Sequence, residues 1–456
     1  MNERGGGPSA TRRGFLTRAA GLAAVAGSTL VTDAGTRALA KGDDAASVTL
    51  DAQIEPFWGK NQGGIVTPTQ GHTYFAALDL TTTKRAEIVG LLKAWTNAAG
   101  RLASGKPIEP FQKTEIAYNY DTTTTTTTVT TSDEPASTAV SLPDSGEAHD
   151  LPPARLTVTF GFGAGLFEKD GNDRYGLAKH RPEALVDLPH FAGDELVAEQ
   201  TGGDLSIQAC ADDPQIAFHA VRQLVRLADD VAQVRWAQTG FMPNFGPNQT
   251  PRNLMGFKDG TNNPSITDVD TMDKFVWVGS EGPGWMQGGS YLVVRRIRVA
   301  LEHWDRSKID FQEQTFGRHK ATGAPIGKDS EHAPLDLEAT DKDGNYIIAE
   351  NAHVRLATAA TNEGAQILRR PYSYNDGVNF TAERWPPWRQ GIEYDAGLFF
   401  ICYQRDPRTG FIKIFDNMAK LDMLNQFVTH VGGGLFACPG GIAPGEYIGQ
   451  RLFDSA

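Results

Sequence analysis

One order of strand-like and helix-like segments occurs twice along this chain, and this repetition limits the possible folds more than any other feature. Short apolar runs predict strands, and apolar residues at helical spacing predict helices. In the first half the predicted segments are strand Thr73–Leu80, a helix over about 83–97, strands Leu156–Phe162 and Asp204–Cys210, and a helix that opens at Asp213-Pro214. In the second half they are strands Ser290–Arg298 and Leu398–Tyr403, a helix over about 418–431, and a strand near Leu435–Ala437.

This repeated order predicts an α+β fold of two tandem ferredoxin-like domains, each an antiparallel sheet covered on one face by helices. We expect the first domain over residues 41–245 and the second over residues 246–456. A doubly wound dinucleotide-binding fold is less favoured, because no Gly-x-Gly-x-x-Gly follows the first strand.

The first forty residues have the three parts of a signal peptide. Arg12-Arg13 is a twin-arginine pair, Ala19–Val31 is a mildly apolar run, and Ala38-Leu39-Ala40 is a small-residue cleavage site. The apolar run is too short and too rich in Gly and Ala to span a bilayer. We therefore expect export by the twin-arginine machinery to the periplasm, cell envelope or exterior, without a stable membrane anchor.

A second low-complexity segment interrupts the predicted first domain. It contains seven consecutive threonines, Thr122–Thr128, inside a stretch over about 121–153 that has no apolar periodicity. Such composition predicts a flexible surface insertion.

Charge and cysteine content exclude several classes of function. The net charge is −12, which opposes nonspecific binding to nucleic acid or to an anionic membrane. Cys210, Cys402 and Cys438 form no Cys-x-x-Cys, so no zinc knuckle, iron–sulfur site or covalent haem attachment is indicated. Cys210 and Cys402 lie in apolar runs and are expected to be buried free thiols.

Three short motifs carry residues suited to chemistry. Asp259 lies between two glycines in Met255–Pro264, where it is either an acid–base held on a tight loop or an ordinary Asp-Gly turn. His353 lies among apolar residues and is either a core histidine or an axial haem ligand. Arg369, after Ile367-Leu368, is either a solvated strand end or a buried cation that stabilises a developing anion.

Taken together, these motifs resemble the dye-decolorising peroxidase family of haem enzymes. The resemblance rests on G-F-K-D-G-T-N-N-P, H-V-R-L-A, I-L-R-R and G-L-F-F-I-C-Y-Q-R-D-P, and it extends from Gln62 to Ala437. It is strongest to the exported branch that includes the deferrochelatase/peroxidase of iron-uptake operons.

The resemblance implies one noncovalent haem b per chain. His353 matches the proximal ligand of the iron, Asp259 the distal acid–base and Arg369 the distal arginine. The residues that match the stretches lining the haem are Gly260, Thr261, Asn262, Thr358, Ala359 and Ala360, together with Arg369. Many relatives have Asn-Pro-Arg where this chain has Thr-Ala-Ala, so Arg355 or another base is expected to pair with a haem propionate.

The implied activity is reduction of hydrogen peroxide with oxidation of dyes, phenols or other bulky donors. The Asp/Arg pair would assist O–O heterolysis to a ferryl intermediate. Two alternatives stay open: a deferrochelatase that releases iron and leaves the porphyrin intact, and a haem-binding protein without turnover. A homo-oligomer is also left open.

Two further sets of residues are candidates for supporting roles. Surface sites that pass a radical to bulky donors are expected among the aromatic residues Trp385, Trp388, Tyr372, Tyr374 and Tyr394. The carboxylate that orients the ring of His353 is expected among Asp336, Asp341 and Asp406.

Overall fold

The computed structural model describes residues 54–109, 144–243, 249–382 and 390–455. The twin-arginine segment, the threonine run, Trp385, Trp388 and the predicted domain boundary near residue 245 lie outside these ranges. None of the helices within them is long and apolar enough to cross a membrane.

The helices and strands follow the two predicted series. The first half contains β1 His72–Leu80, α1 Arg85–Ala103, β2 Thr157–Gly163, α2 Ala164–Phe167, β3 Leu205–Ala211, α3 Pro214–Leu227 and β4 Ala232–Phe241. The second half contains α4 Val269–Phe275, β5 Ser290–Val299, α5 Leu301–Trp304, α6 Ile309–Phe316, α7 His353–Leu356, β6 Leu368–Arg369, β7 Tyr372–Ala382, β8 Gln390–Gln404, α8 Phe411–Leu421, β9 Val428–Cys438 and α9 Gln450–Asp454. Short 3₁₀ helices lie at Ala178–His180, Ala198–Gln200, Gly284–Met286 and Met423–Gln426.

Each half has its strands in the same spatial order. The order is β2-β3-β1-β4 in the first half and β9-β5-β8-β7 in the second, with β6 beside β8, and all these neighbours are antiparallel. In both halves the fourth strand lies beside the first and the third beside the second. This is the ferredoxin-like order, so the predicted fold class is confirmed.

The two sheets join at both edges. β2 pairs with β9 through Phe162 and Ala437, and β4 pairs with β7 through Phe241 and Ser373. Because β5 also pairs with β8, eight strands form a closed ring. Its apolar interior combines residues of both halves, for example Phe75, Trp236, Phe399, Leu292 and Phe436. Each sheet therefore buries one face under helices and the other against its partner sheet.

Local sequence determines where α3 begins. Asp213 is its N-cap, and its carboxylate accepts hydrogen bonds from the backbone N–H groups of Gln215 and Ile216 at 2.7 and 3.2 Å. Pro214 occupies the first helical position. Proline has no backbone N–H, but an N–H at this position would have no partner within the helix.

The predicted helix over 418–431 is wrong. α8 ends at Leu421, and Asp422 then caps a 3₁₀ turn by accepting a hydrogen bond from the Leu424 N–H at 2.8 Å. The chain enters β9 at Val428, which pairs with Val299 of β5. Helical spacing of apolar residues continues through this segment, but pairing with the neighbouring strand satisfies its backbone instead.

The predicted insertion also extends too far. Asp144 is buried at 1% exposure, and its carboxylate accepts a hydrogen bond from the Ile108 N–H at 2.9 Å. The chain is thus anchored to the core from Asp144 onward, about nine residues before the predicted end of the insertion.

All three cysteines are free and buried, which confirms the prediction for Cys210 and Cys402. Burial raises the pKa of the Cys402 and Cys438 thiols, so both remain protonated.

Candidate active site

The fold brings Asp259 and Arg369 into direct contact although 110 residues separate them. Asp259 follows the short antiparallel bridge between Arg252 and Lys258, and Arg369 lies in β6 opposite Cys402 of β8. Nη1 of Arg369 donates to Oδ1 of Asp259 at 2.8 Å. The Arg369 side chain is 27% exposed and the Asp259 side chain 18%. The sequence-predicted pair is therefore assembled in a partly accessible position.

Each member of this pair keeps polar atoms available. Within the described residues, Oδ2 of Asp259 and the Nε and Nη2 groups of Arg369 make no hydrogen bond. A carboxylate oxygen that lies beside a fixed guanidinium can transfer a proton, while the remaining N–H groups can stabilise an anion.

Asn263 locks the loop of Asp259 to the strand of Arg369. Its Nδ2 donates to the Arg369 carbonyl, and its Oδ1 accepts from the Arg369 N–H, both at 2.9 Å. Asn263 belongs to the sequence motif around Asp259, but the motif by itself predicts no role for it. Its only signal was its position four residues after Asp259, which does not reveal a partner in a distant strand.

Gly260 is required by the backbone beside the acid. Its φ is +123°, a conformation that residues with a side chain rarely adopt. The Asp259 N–H meanwhile donates to the Pro251 carbonyl at 2.8 Å. These features hold the turn in the shape that presents the Asp259 side chain.

His353 is the first residue of α7 and is oriented by Asp422. Nδ1 of His353 lies 2.7 Å from Oδ2 of Asp422, a carboxylate that is only 3% exposed. In the neutral ring with its Nδ1 proton directed at this carboxylate, Nε2 carries the lone pair. Nε2 has no partner within the described residues, and the His353 side chain is 30% exposed.

His353 and the Asp259–Arg369 pair share one electrostatic environment. Burial by itself lowers the pKa of His353, but the Asp422 carboxylate outweighs burial, so the pKa is raised. Asp259 further raises this pKa and Arg369 lowers it. His353 therefore interacts electrostatically with Asp259 and Arg369, while a shared role of the three residues in one site stays a prediction.

The predicted partner of His353 is wrong. Asp336 and Asp341 accept hydrogen bonds from nearby backbone N–H groups, and Asp406 binds Arg408. Asp422 was missed because the helix predicted over 418–431 placed it inside a helix instead of at the end of one.

The remaining predicted residues flank this site. Thr261 donates to Glu331 at 3.0 Å, and Asn262 accepts from Arg318 at 3.5 Å. Thr358 donates to the Arg355 carbonyl at 3.3 Å, directly after α7. Ala359 is partly exposed and Ala360 exposed, and Gly260 follows Asp259. Contact of these residues with a cofactor stays a prediction.

Arg355 is largely used by the protein itself. Its guanidinium donates to the carbonyls of Ile348 and Leu337 and lies 4.6 Å from the ring centre of Tyr346. Only Nη1 is left without such a bond within the described residues, which weakens the expectation that Arg355 pairs with a propionate.

Two of the predicted surface aromatic residues are not at the surface. Tyr372 and Tyr374 are 1% and 0% exposed because they face the interior of the strand ring. Tyr394 is partly exposed. Direct contact of Tyr372 or Tyr374 with a bulky electron donor is therefore excluded.

Comparisons with known proteins agree with this geometry. Residues 62–242 match the model of the Dyp-type peroxidase N-terminal domain, and residues 250–443 match that of the C-terminal domain. A "Dye-decolorizing peroxidase" of Thermobifida fusca is 37% identical over 97% of each chain. A "Deferrochelatase" of Escherichia coli is 33% identical over 96% of each chain.

A solved structure extends the agreement to three dimensions. Ferric DtpA from Streptomyces lividans superposes with a TM-score of 0.74 at 39% identity, covering 89% of this chain and 99% of that one. With matches to both domain models and full-length relatives above 30% identity, this chain belongs to the Dyp-type peroxidase family.

Proposed function

We propose that this protein is a haem-dependent peroxidase that reduces hydrogen peroxide and oxidises dyes, phenols or other bulky donors. The observation that carries the proposal is the Asp259–Arg369 ion pair at 2.8 Å, in the same electrostatic environment as His353. A carrier of haem has no need for an acid–base and a fixed cation beside the ligand.

The residues present fit a haem. Nε2 of His353 offers a lone pair without a competing partner, and Asp422 holds the ring in orientation. The ring of Phe316 lies 5.7 Å from that of His353, so an apolar side chain adjoins the proposed ligand. When bound, haem iron would supply the two-electron reduction of peroxide.

The two distal residues have distinct roles in this proposal. Oδ2 of Asp259 accepts a proton from one oxygen of hydrogen peroxide and returns it to the other, which leaves as water. The N–H groups of Arg369 stabilise the negative charge that develops as the O–O bond breaks. Because Arg369 also binds Oδ1, it fixes the direction in which Oδ2 points.

The direct test is stopped-flow absorbance of the haem-loaded protein mixed with about one equivalent of peroxide. We expect a rapid change of the haem spectrum, followed by return to the resting spectrum when a phenol or dye is added. A spectrum that stays unchanged after mixing would contradict the proposal.

Asp422→Asn is expected to weaken haem binding by about 10- to 100-fold, the usual effect of losing a carboxylate that orients a metal-binding histidine. The neutral amide still fits beside Nδ1 but no longer raises the basicity of the ring. Titration of the haem-free protein with haem measures the affinity. The matched control is Asp341→Asn, which removes a carboxylate that serves only its own loop and should leave haem affinity unchanged.

A second candidate function is release of iron from haem with the porphyrin left intact. The specific support is the 33% identity with the Escherichia coli deferrochelatase over 96% of each chain. Incubation of the haem-loaded protein with a reducing donor and hydrogen peroxide distinguishes the two functions. Metal-free protoporphyrin with free iron would favour release, and intact haem with consumed peroxide would favour the peroxidase.

The twin-arginine segment bears on where in the cell this activity would take place. We propose that the twin-arginine segment directs export, since that pathway carries folded proteins with their cofactor inserted. The protein would then meet peroxide and reducing donors in the periplasm, the cell envelope or the exterior.

A further inference from the structure

Glu331 binds the loop of Asp259 on both sides of that residue. Its side chain is 12% exposed, Oε2 accepts a hydrogen bond from Nζ of Lys258, and Oε1 accepts from Oγ1 of Thr261 at 3.0 Å. Lys258 directly precedes Asp259, and Thr261 follows it by two positions. One carboxylate, 70 residues from Thr261 in the sequence, therefore connects both flanks of the acid–base.

The segment that carries Glu331 is itself held firmly. Nη1 of Arg318, which is 7% exposed, donates to the Glu331 carbonyl at 3.0 Å and to the Gly323 carbonyl at 2.7 Å. Arg252, inside the Asp259 loop, donates to the Lys320 carbonyl at 2.6 Å and to the Ala321 carbonyl at 2.7 Å. Residues 318–331 thus form a support to which the loop is bound at several points.

Glu331 is ionised over the working range of pH. Burial by itself raises its pKa, but hydrogen bonds from Lys258, Thr250 and Thr261 outweigh burial and lower the pKa to about 2. The bonds to Lys258 and Thr261 are therefore charge-assisted, which makes them stronger than bonds between neutral groups.

A second set of contacts joins the loop to Arg369. This set consists of the Asp259–Arg369 ion pair and the two bonds between Asn263 and the Arg369 backbone. The loop also contains Gly256 and Gly260, both at positive φ, which have little intrinsic preference for one conformation. Without the Glu331 side chain, the two residues that flank Asp259 most closely on this support, Lys258 and Thr261, would lose their hydrogen bonds to it.

We propose that Glu331 is a positioning residue for Asp259, and that its bonds to Lys258 and Thr261 keep Oδ2 of Asp259 where proton transfer occurs. The inference rests on the proposed function of Asp259. Displacement of a catalytic group by about 1 Å can reduce a rate by about 100-fold, so a support outside the reacting atoms can control the rate.

The test uses Glu331→Gln and Glu331→Ala in the haem-loaded protein. The rate constant for reaction with peroxide should fall by about 10- to 100-fold in Glu331→Ala. It should fall less in Glu331→Gln, whose amide oxygen still accepts from Thr261. Haem content should stay near that of the unchanged protein. The control is Glu281→Gln, which removes the carboxylate charge from the 2.6 Å pair with Arg405 elsewhere in the protein. Unchanged rates in both Glu331 variants would overturn the proposal.

Two measurements separate positioning from general stabilisation. In the Asp259→Asn background, removal of Glu331 should cause little further loss of rate, because the two residues act as a unit. Fully additive losses would overturn the proposal. Hydrogen exchange of residues 253–263 in the haem-free protein should accelerate in Glu331→Ala but not in Glu281→Gln, and equal exchange in the two would also overturn it.

The failure of this inference is distinguishable from failure of the proposed function. If Asp259→Asn alone leaves the peroxide rate unchanged, the role of Asp259 is wrong whatever Glu331 does. If Asp259→Asn is slow while the Glu331 variants are fast, only the positioning role is wrong.

Discussion

Asp259→Asn is expected to slow the reaction of the haem-loaded protein with peroxide by about 10²- to 10⁴-fold, the range in which positioned acid–base groups contribute. Asparagine preserves the size of the side chain and still accepts a hydrogen bond from Arg369. It cannot, however, take a proton from one peroxide oxygen and deliver it to the other. The rate of the spectral change after stopped-flow mixing measures the effect, with haem content determined on the same samples.

Arg369→Leu tests the other half of the pair and should cost about 10²- to 10³-fold, as for removal of one donor to a developing anion. The matched control is Asp395→Asn, which removes the carboxylate charge from another Asp–Arg contact of 2.8 Å, with Arg296, away from the site. Equal rates for the two site variants and the control would remove the roles assigned to Asp259 and Arg369.

His353→Ala is expected to weaken haem binding more than Asp422→Asn, by at least about 100-fold, because it removes the proposed ligand and not only its orienting partner. The purified variant should therefore carry little haem. Haem content per chain and titration of the haem-free protein measure the loss. Added imidazole should restore part of the binding if the cavity left by the side chain admits it.

A second histidine–carboxylate pair supplies the control for this prediction. Nδ1 of His319 lies 2.8 Å from Oε2 of Glu313, and the His319 side chain is 40% exposed. Like His353, it is a partly accessible histidine with a carboxylate beside Nδ1. His319→Ala should retain haem. Loss of haem from His319→Ala with retention by His353→Ala would contradict the assignment of the ligand.

Local motifs were sufficient to find the main residues of the site. Gly256 and Gly260 around Asp259, an apolar segment around His353, and Arg369 after a short strand are all visible within a few residues of sequence. Each motif alone was ambiguous, because an Asp-Gly turn and a core histidine have the same local pattern as a functional residue. Their combination, matching a known family, removed the ambiguity.

The prediction of Asp336, Asp341 or Asp406 beside His353 failed for a physical reason. The ring of His353 is oriented by Asp422, directly after α8, where the chain enters a 3₁₀ turn and then pairs with β5 instead of continuing as a helix. Helical spacing of apolar residues cannot report this competition, because the competing strand lies more than a hundred residues earlier in the chain.

The amino-acid sequence alone was enough to specify the α+β class, the family and the three residues Asp259, His353 and Arg369, since each depends on a pattern that is continuous in the chain. Only the tertiary structure decided that the two sheets close into one ring, that Asp422 orients His353, and that Asn263 and Glu331 bind the loop of Asp259 to distant segments. The side-chain contacts of Asp422, Asn263 and Glu331 join residues 69 to 106 positions apart, and they form because strand pairing and helix packing bring distant segments together. A side chain carries its chemistry locally, but its partner is selected by the packing of the whole fold.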